Sequence, residues 1–213
     1  FVLPEDAPRR IKSLPRNEAG YPVPWFVDYV DGKPDFRIMN ENHFIAAVKE
    51  NLCWICGEML GAYKAFVIGP MCSVNKISAE PPSHTDCAVF AAKTCPFLAN
   101  PKQKRRETSL PEGAAIQSAG FAIKRNPGVA LVWVTKKYSS FNDGKGGVLF
   151  DLGEPEDVLW FALGREATRA EVLESFESGL PALREACEKD DRPGLARREL
   201  DVQLEQALTL VPA

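Results

Sequence analysis

The chain has 213 residues, of which 45% are hydrophobic, and it carries a formal net charge of −3. This composition excludes intrinsic disorder as the default state and suits one large domain or two small ones. The mildly acidic balance argues against a protein that coats nucleic acid through bulk charge, and the sequence lacks the run of about 18 apolar residues that a membrane-spanning helix needs.

The first part of the chain is expected to form an arm, a hairpin and a helix. Residues 1–24 are rich in proline and charge, and they predict an extended N-terminal arm that becomes ordered only by packing against the rest. Residues 25–39 predict two short strands around a turn that begins at Asp31-Gly32. Asn40 is expected to cap the following helix, whose apolar stripe contains Phe44, Ile45, Val48 and Leu52. His43, near the start of this helix, is expected to be exposed.

A second hairpin and a second helix are predicted next. The stretch "AYKAFVIGPMCSVNKIS" has two β-prone runs separated by a Gly-Pro break, which indicates a β-hairpin. Ser83 is expected to be the N-cap of a helix that starts at His84 and ends before Pro96. Residues 25–105 together form the first predicted domain.

The second predicted domain spans residues 115–213, after a polar connection. Its apolar runs "GVALVWVTKKY", "VLFDLG" and "DVLWFAL" predict an antiparallel β-meander with a turn-rich loop at "SSFNDGKGG". Thr168 and Glu171 form a capping box for a helix that Gly179 is expected to end. A further helix should start near Pro181, and a last one should cover about 195–210. The fold class is α+β, and the two domains could also form one continuous domain.

Cysteine usage indicates both the compartment and the kind of site. Five of the six cysteines lie between Cys53 and Cys95, and only Cys187 lies outside this segment. A secreted disulfide framework would spread its cysteines over a small domain without a core, whereas clustering in a larger chain is typical of metal binding in a reducing cytoplasm. The first residues also lack the features of a signal peptide, so we expect a cytoplasmic protein.

Four residues have the types and spacing of a structural zinc site. "CWICG" places Cys53 and Cys56 in a tight knuckle, and "SHTDC" places His84 and Cys87 three residues apart at the start of the predicted helix. Structural zinc takes four thiolate or imidazole ligands in a tetrahedron. The order of knuckle, hairpin and ligand-bearing helix resembles a treble-clef zinc finger. We therefore expect Zn²⁺ to be bound by Cys53, Cys56, His84 and Cys87, in a structural role.

Two alternatives to zinc remain open. Free cysteines are commonly buried without any ligand, and a histidine can lie in a core. The segment also has enough cysteines to hold an iron–sulfur cluster if Cys72 or Cys95 took part. We interpret both of these residues as core residues.

A basic run after the zinc helix is a second candidate site. Lys102, Lys104, Arg105 and Arg106 could lie along phosphates, although a charged run is often only a solvated connection. These four residues are the candidate nucleic-acid contacts.

Several phrases resemble one family over nearly the whole chain: "GYPVPWFVDYVDGKPDFR", "CWICGEMLGAYKAFVIGPMC", "SAEPPSHTDCA" and "GREATRAEVLES". They are similar to an uncharacterised family of phage- and bacterium-encoded proteins. The resemblance implies a bacterial setting and carries no activity.

Three functions are compatible with these patterns. The first is a protein-interaction or regulatory role, which the acidic charge and the C-terminal helices favour. The second is binding of nucleic acid through the basic run. The third is an enzyme, which would need a pocket of ionisable groups such as Asp28, Asp35, Arg37 or Arg165.

Overall fold

A computed structural model describes residues 1–100, 128–144 and 146–213. Within these residues the chain has six helices and nine strands, and every strand pair is antiparallel. The predicted α+β class is confirmed. The helices are α1 (Arg9–Lys12), α2 (Glu41–Glu50), α3 (Pro70–Asn75), α4 (Thr85–Thr94), α5 (Arg169–Glu188) and α6 (Pro193–Leu208). The strands are β1 (Val27–Val30), β2 (Lys33–Met39), β3 (Lys64–Ile68), β4 (Ile77–Ser78), β5 (Ala130–Thr135), β6 (Ser139–Asn142), β7 (Val148–Asp151), β8 (Asp157–Ala162) and β9 (Arg165–Glu166).

The first hairpin and the helix after it follow their local signals. β1 and β2 pair around Asp31-Gly32, whose φ values of 50° and 76° are those of a two-residue hairpin loop. The side chain of Asn40 accepts a hydrogen bond from the amide of His43 at 3.0 Å, which confirms the predicted N-cap of α2. Of the predicted stripe, Phe44 and Val48 pack against the core, whereas Ile45 is 48% exposed.

The predicted second hairpin is wrong. Its first run forms β3, but its second run begins as helix α3, and β4 follows only after that helix. Pro70 at the first helical position favours this helix, since its fixed φ suits a helix start and its missing N–H is not needed there. Met71 and Val74 then place apolar side chains in the core. β3 and β4 therefore lie in different sheets.

The predicted meander is also wrong, because its strands separate into two sheets. One sheet has the order β3-β5-β8-β9 and the other has the order β4-β7-β6. All six residues of β5 are buried, so this strand needs a partner on both edges, and β3 and β8 provide them. β7 instead pairs with β4 and β6. The stretch predicted as a loop, "SSFN", is β6.

Strands from before and after residues 101–127 share both sheets, through the pairs β3–β5 and β4–β7. The main core lies between these sheets and the helices. Trp133, Phe150 and Val172 are fully buried in it, and α3 contacts both α5 and α6. The predicted boundary between residues 105 and 115 lies outside the described residues, and the division into domains stays a prediction.

The long helix α5 begins as predicted but continues further. The Thr168 hydroxyl accepts from the Glu171 amide at 3.3 Å and the Glu171 carboxylate accepts from the Thr168 amide at 2.8 Å, so the capping box is confirmed. The predicted end at Gly179 is wrong, because the helix runs through Gly179 and Pro181 to Glu188. A Cβ at Gly179 would lie 2.8 Å from Cγ of Met71 on α3. This glycine therefore permits close packing of two helices and is not a helix stop.

We expect Thr168→Ala to destabilise the protein by about 1 kcal/mol, because the first turn of α5 would lose the hydroxyl that accepts from the Glu171 amide. In a thermal melt this corresponds to a decrease of about 2–4 °C. Thr168→Ser keeps the hydroxyl and serves as the matched control. Its thermal midpoint should equal that of the wild type. Equal melting of the alanine and serine variants would contradict the role of the cap.

Candidate metal centre

The four predicted ligand residues lie together. The ligand atoms of Cys53, Cys56, His84 and Cys87 all lie within 4.8 Å of one another, an arrangement that could hold a metal ion. Cys53 and Cys56 come from the loop between α2 and β3, and His84 and Cys87 come from the start of α4. Two segments that are well separated in the chain are thus brought to one point.

Backbone hydrogen bonds shape the loop that carries the first two cysteines. Leu52 and Met59 form an isolated antiparallel bridge, and the amide of Cys53 donates to the carbonyl of Glu58 at 2.8 Å. The amide of Gly57 donates to the carbonyl of Cys53 at 2.8 Å, and Gly57 has a φ of +76°. These contacts close the knuckle and turn both sulfur atoms toward the same side.

Trp25 packs directly against this knuckle. A Cβ at Gly57 would lie 2.9 Å from two ring carbons of Trp25, and the Trp25 amide donates to the carbonyl of Ile55 at 2.7 Å. The same indole stacks on His43 at 4.2 Å, and Nδ1 of His43 donates to the Trp25 carbonyl at 2.6 Å. The expectation that His43 is exposed is therefore wrong, since the half-buried ring holds Trp25 in place. The feature of the sequence that could have indicated this packing is Gly57 in "CWICG", because a residue without a side chain leaves room for an aromatic ring.

The second pair of candidate ligands, His84 and Cys87, follows a segment that pairs with β3. Ser83 exchanges two backbone hydrogen bonds with Ala65 of β3, at 2.7 and 2.8 Å. The predicted N-cap role of Ser83 is wrong, because its backbone pairs with β3 and His84 occupies the N-cap position without a side-chain cap bond. The end of α4 before Pro96 is confirmed.

The imidazole of His84 has a defined orientation. Nδ1 lies 3.4 Å from Sγ of Cys56, and Nε2 lies 3.1 Å from the carbonyl oxygen of Met59. Nε2–H therefore donates to Met59, which leaves the Nδ1 lone pair directed at the cluster. A hydrogen bond of this kind from the second ring nitrogen orients histidine ligands in metal sites.

The three thiols influence one another strongly. Cys53 and Cys87 are fully buried, and the amides of Cys56 and His84 donate to Sγ of Cys53 at 3.4 and 3.3 Å. The pKa of Cys53 is lowered, mainly by a hydrogen bond from the Cys56 thiol and next by one from the Cys87 thiol. The hydrogen bond with Cys53 in turn raises the pKa of Cys56 to about 11. Hydrogen bonds with Cys53 and then Cys56 raise the pKa of Cys87. A divalent cation would allow all three sulfur atoms to carry negative charge.

The N-terminal arm contributes to the surroundings of the cluster. It contains α1 and a bridge between Arg16 and Pro22, so it is not extended throughout. Ile11 is 1% exposed and packs in one apolar cluster with Cys53 and Cys87. Arg10 pairs with Glu58 at 3.0 Å and with Asp86 at 3.2 Å. Burial opposes the charge of Arg10, but Asp86, Glu58 and Cys56 outweigh it and raise the pKa of this guanidinium.

Cys72 and Cys95 do not belong to the group of four candidate ligands. Cys72 lies on α3 against the main core, and Cys95 lies at the end of α4. Burial raises the pKa of both thiols. Both are therefore neutral thiols at pH 7.

The residues proposed for nucleic-acid binding and for an enzyme site do not form a second site in the part of the chain that the structure describes. Lys102, Lys104, Arg105 and Arg106 lie outside the described residues, so nucleic-acid binding through them stays a prediction. The ionisable groups considered for an enzyme take part in local contacts: Asp35 pairs with Arg37, Arg165 pairs with Glu171, and Asp28 accepts from the side chain of Asn40.

Comparisons with protein-family models, curated proteins and solved structures found no match. Membership of the phage and bacterial family therefore stays a prediction. In the described ranges, none of the helices is both long and apolar enough to cross a bilayer.

We expect Gly57→Ala to destabilise the protein by about 2 kcal/mol or more, because alanine is strained at positive φ and its methyl group would overlap the ring of Trp25. Gly61→Ala is the matched control, because Gly61 does not have a positive φ and a Cβ there meets nothing within 4 Å. Chemical denaturation measures both variants. A Gly57→Ala variant as stable as Gly61→Ala would contradict the described packing.

Proposed function

We propose that Cys53, Cys56, His84 and Cys87 bind Zn²⁺ as a closed structural site, and that the protein acts by binding another protein. The observation that carries the metal assignment is the complete set of four converging donors within 4.8 Å. Three thiolates and one imidazole are the ligands of structural zinc sites.

The chemistry of the donors favours zinc over other metals. Ca²⁺ and Mg²⁺ prefer oxygen ligands, whereas thiolates select softer ions such as Zn²⁺. An iron–sulfur cluster is normally held by four thiolates, and neither Cys72 nor Cys95 joins the group of four. His84 in the fourth position is therefore better explained by zinc.

The arrangement supports a structural role. Four protein ligands fill the tetrahedron, whereas catalytic zinc keeps one position for water or substrate. The two nearby carboxylates, Glu58 and Asp86, are both paired with Arg10, which makes them poor candidates for a general base. Structural zinc contributes on the order of 10–16 kcal/mol of binding free energy in small fingers, so we expect loss of zinc to unfold the module around these four residues.

We also propose a treble-clef arrangement for the module. It is supported by the knuckle at Cys53–Cys56, by the backbone pairing of Ser83 with β3, and by the two ligands in the first turn of α4. The module differs from a simple finger because α3 and β4 lie between β3 and Ser83.

A protein partner is supported by the surface of the C-terminal helix. Leu195 and Val202 are 39% and 55% exposed and lie two helical turns apart on α6. Helices commonly bind partners through apolar side chains at this spacing. The acidic net charge favours this role over binding to nucleic acid, and the family resemblance suggests a bacterial or phage factor as the partner.

We expect the purified, untagged protein to contain one zinc per chain and Cys53→Ser to lose it, because Cys53 is fully buried and serine is a poor zinc ligand. Elemental analysis measures the zinc content, and a thermal melt should show a much lower midpoint for the variant. Cys187→Ser is the matched control and should keep both zinc and stability. Zinc-free wild type, or a Cys53→Ser variant that retains zinc, would contradict the assignment.

We expect a double variant, Leu195→Asp with Val202→Asp, to lose a protein partner that the wild type retains, because charge on this face opposes apolar contact. Affinity purification from a bacterial lysate, followed by mass spectrometry, compares the two proteins as bait. Their circular dichroism spectra and thermal midpoints should be equal, which shows that folding is intact. A wild type that retains no partner, or a variant that retains the same one, counts against the proposed interaction.

A further inference from the structure

The arm supplies part of the apolar shell around the metal ligands. Ile11 is 1% exposed in a cluster with Cys53, Ile55 and Cys87. Leu3 and Leu14 pack against the same cluster from the same segment. Three apolar side chains of the arm therefore contact the group that contains the buried thiols, and none of them belongs to the knuckle or to α4.

Arg10 links the two segments that carry the ligands. Its Nε donates to Glu58 at 3.0 Å and its Nη1 donates to Asp86 at 3.2 Å. Glu58 lies two residues after Cys56, and Asp86 lies directly before Cys87. The guanidinium can reach both carboxylates only while the knuckle and the start of α4 are held together.

Charge gives Arg10 a second role. A divalent cation with three thiolates and a neutral imidazole forms a group of net charge −1. The Arg10 guanidinium is attracted to Cys56 as well as to the two carboxylates. It therefore offsets negative charge beside the one ligand sulfur that is only half-buried.

From these contacts we propose that Leu3–Leu14 is an outer part of the metal centre, which docks when zinc is bound and is released when zinc is lost. This inference rests on the proposed zinc site. Zinc holds the knuckle and α4 at the spacing that Arg10 and Ile11 require. Because coupling between two binding events is reciprocal, the docked arm must raise the affinity for zinc by the same factor by which zinc favours docking. Arg10 is thus a positioning residue, not a ligand.

Limited trypsin digestion of the intact 213-residue chain tests the release of the arm. Arg9 and Lys12 are exposed cleavage sites beside the docked Ile11, and the exposed Lys189 between α5 and α6 provides an internal reference. We expect removal of zinc by a chelator to speed cleavage in the arm about 10-fold or more, while cleavage at the reference site changes less than 2-fold. Equal acceleration at both places would overturn the inference, because it would indicate general unfolding.

Zinc affinity tests the reciprocal effect. We expect Arg10→Gln to weaken zinc binding about 10-fold in competition with a chromophoric chelator, which is the lower end of the effect of outer interactions in metal sites. Arg9→Gln is the matched control: it removes the same charge from an exposed neighbour and should stay within about 2-fold of the wild type. Arg10→Lys should recover part of the affinity, and circular dichroism of the zinc-loaded variants verifies the fold.

The outcomes separate the inference from the proposed function. A protein that cannot be loaded with zinc overturns both the proposed zinc site and the coupling of the arm to it. A zinc-loaded protein whose arm is cleaved equally fast with and without chelator overturns only the coupling. Equal zinc affinities of Arg10→Gln and Arg9→Gln would likewise overturn the coupling and leave the structural zinc site intact.

Discussion

Three sulfur atoms and one imidazole nitrogen converge within 4.8 Å, and the knuckle, the start of α4 and the arm are arranged around that point. Without a cation, the closeness of the three thiols lowers the pKa of Cys53 and raises the pKa of Cys56 and of Cys87, so the thiols oppose one another's ionisation. With a divalent cation, the same closeness becomes stabilising, because each sulfur can bind as a thiolate. These four donors join the knuckle to the start of α4, in addition to the apolar cluster that Ile55 and Leu60 form with Phe90 of α4.

The candidate metal centre is connected to the rest of the molecule through well-defined contacts. Ser83 pairs with β3, and β3 pairs with the fully buried β5 of the central sheet. On the other side, Trp25 connects the knuckle with α2 through its stacking on His43. The arm adds Arg10 and Ile11 from a third direction. The proposed zinc ion would therefore organise three parts of the chain, while the main core between the sheets and α5 is built from other residues.

Local signals were predictable from the sequence, and long-range pairing was not. The Asn40 cap and the capping box at Thr168 depend on residues three positions apart, and the clustering of the four ligand residues depends on two short motifs. The hairpin after the knuckle was predicted wrongly because the partners of β3 and β4 lie far along the chain, in β5 and β7, where turn signals carry no information. Gly179 looked like a helix end because its contact with Met71 comes from a distant element.

X-ray absorption at the zinc edge of the purified protein identifies the metal and its ligands in one experiment. We expect three sulfur atoms at about 2.3 Å and one nitrogen at about 2.0–2.1 Å from zinc. A sample without a zinc edge, or a first shell with fewer than three sulfur atoms, would contradict this expectation.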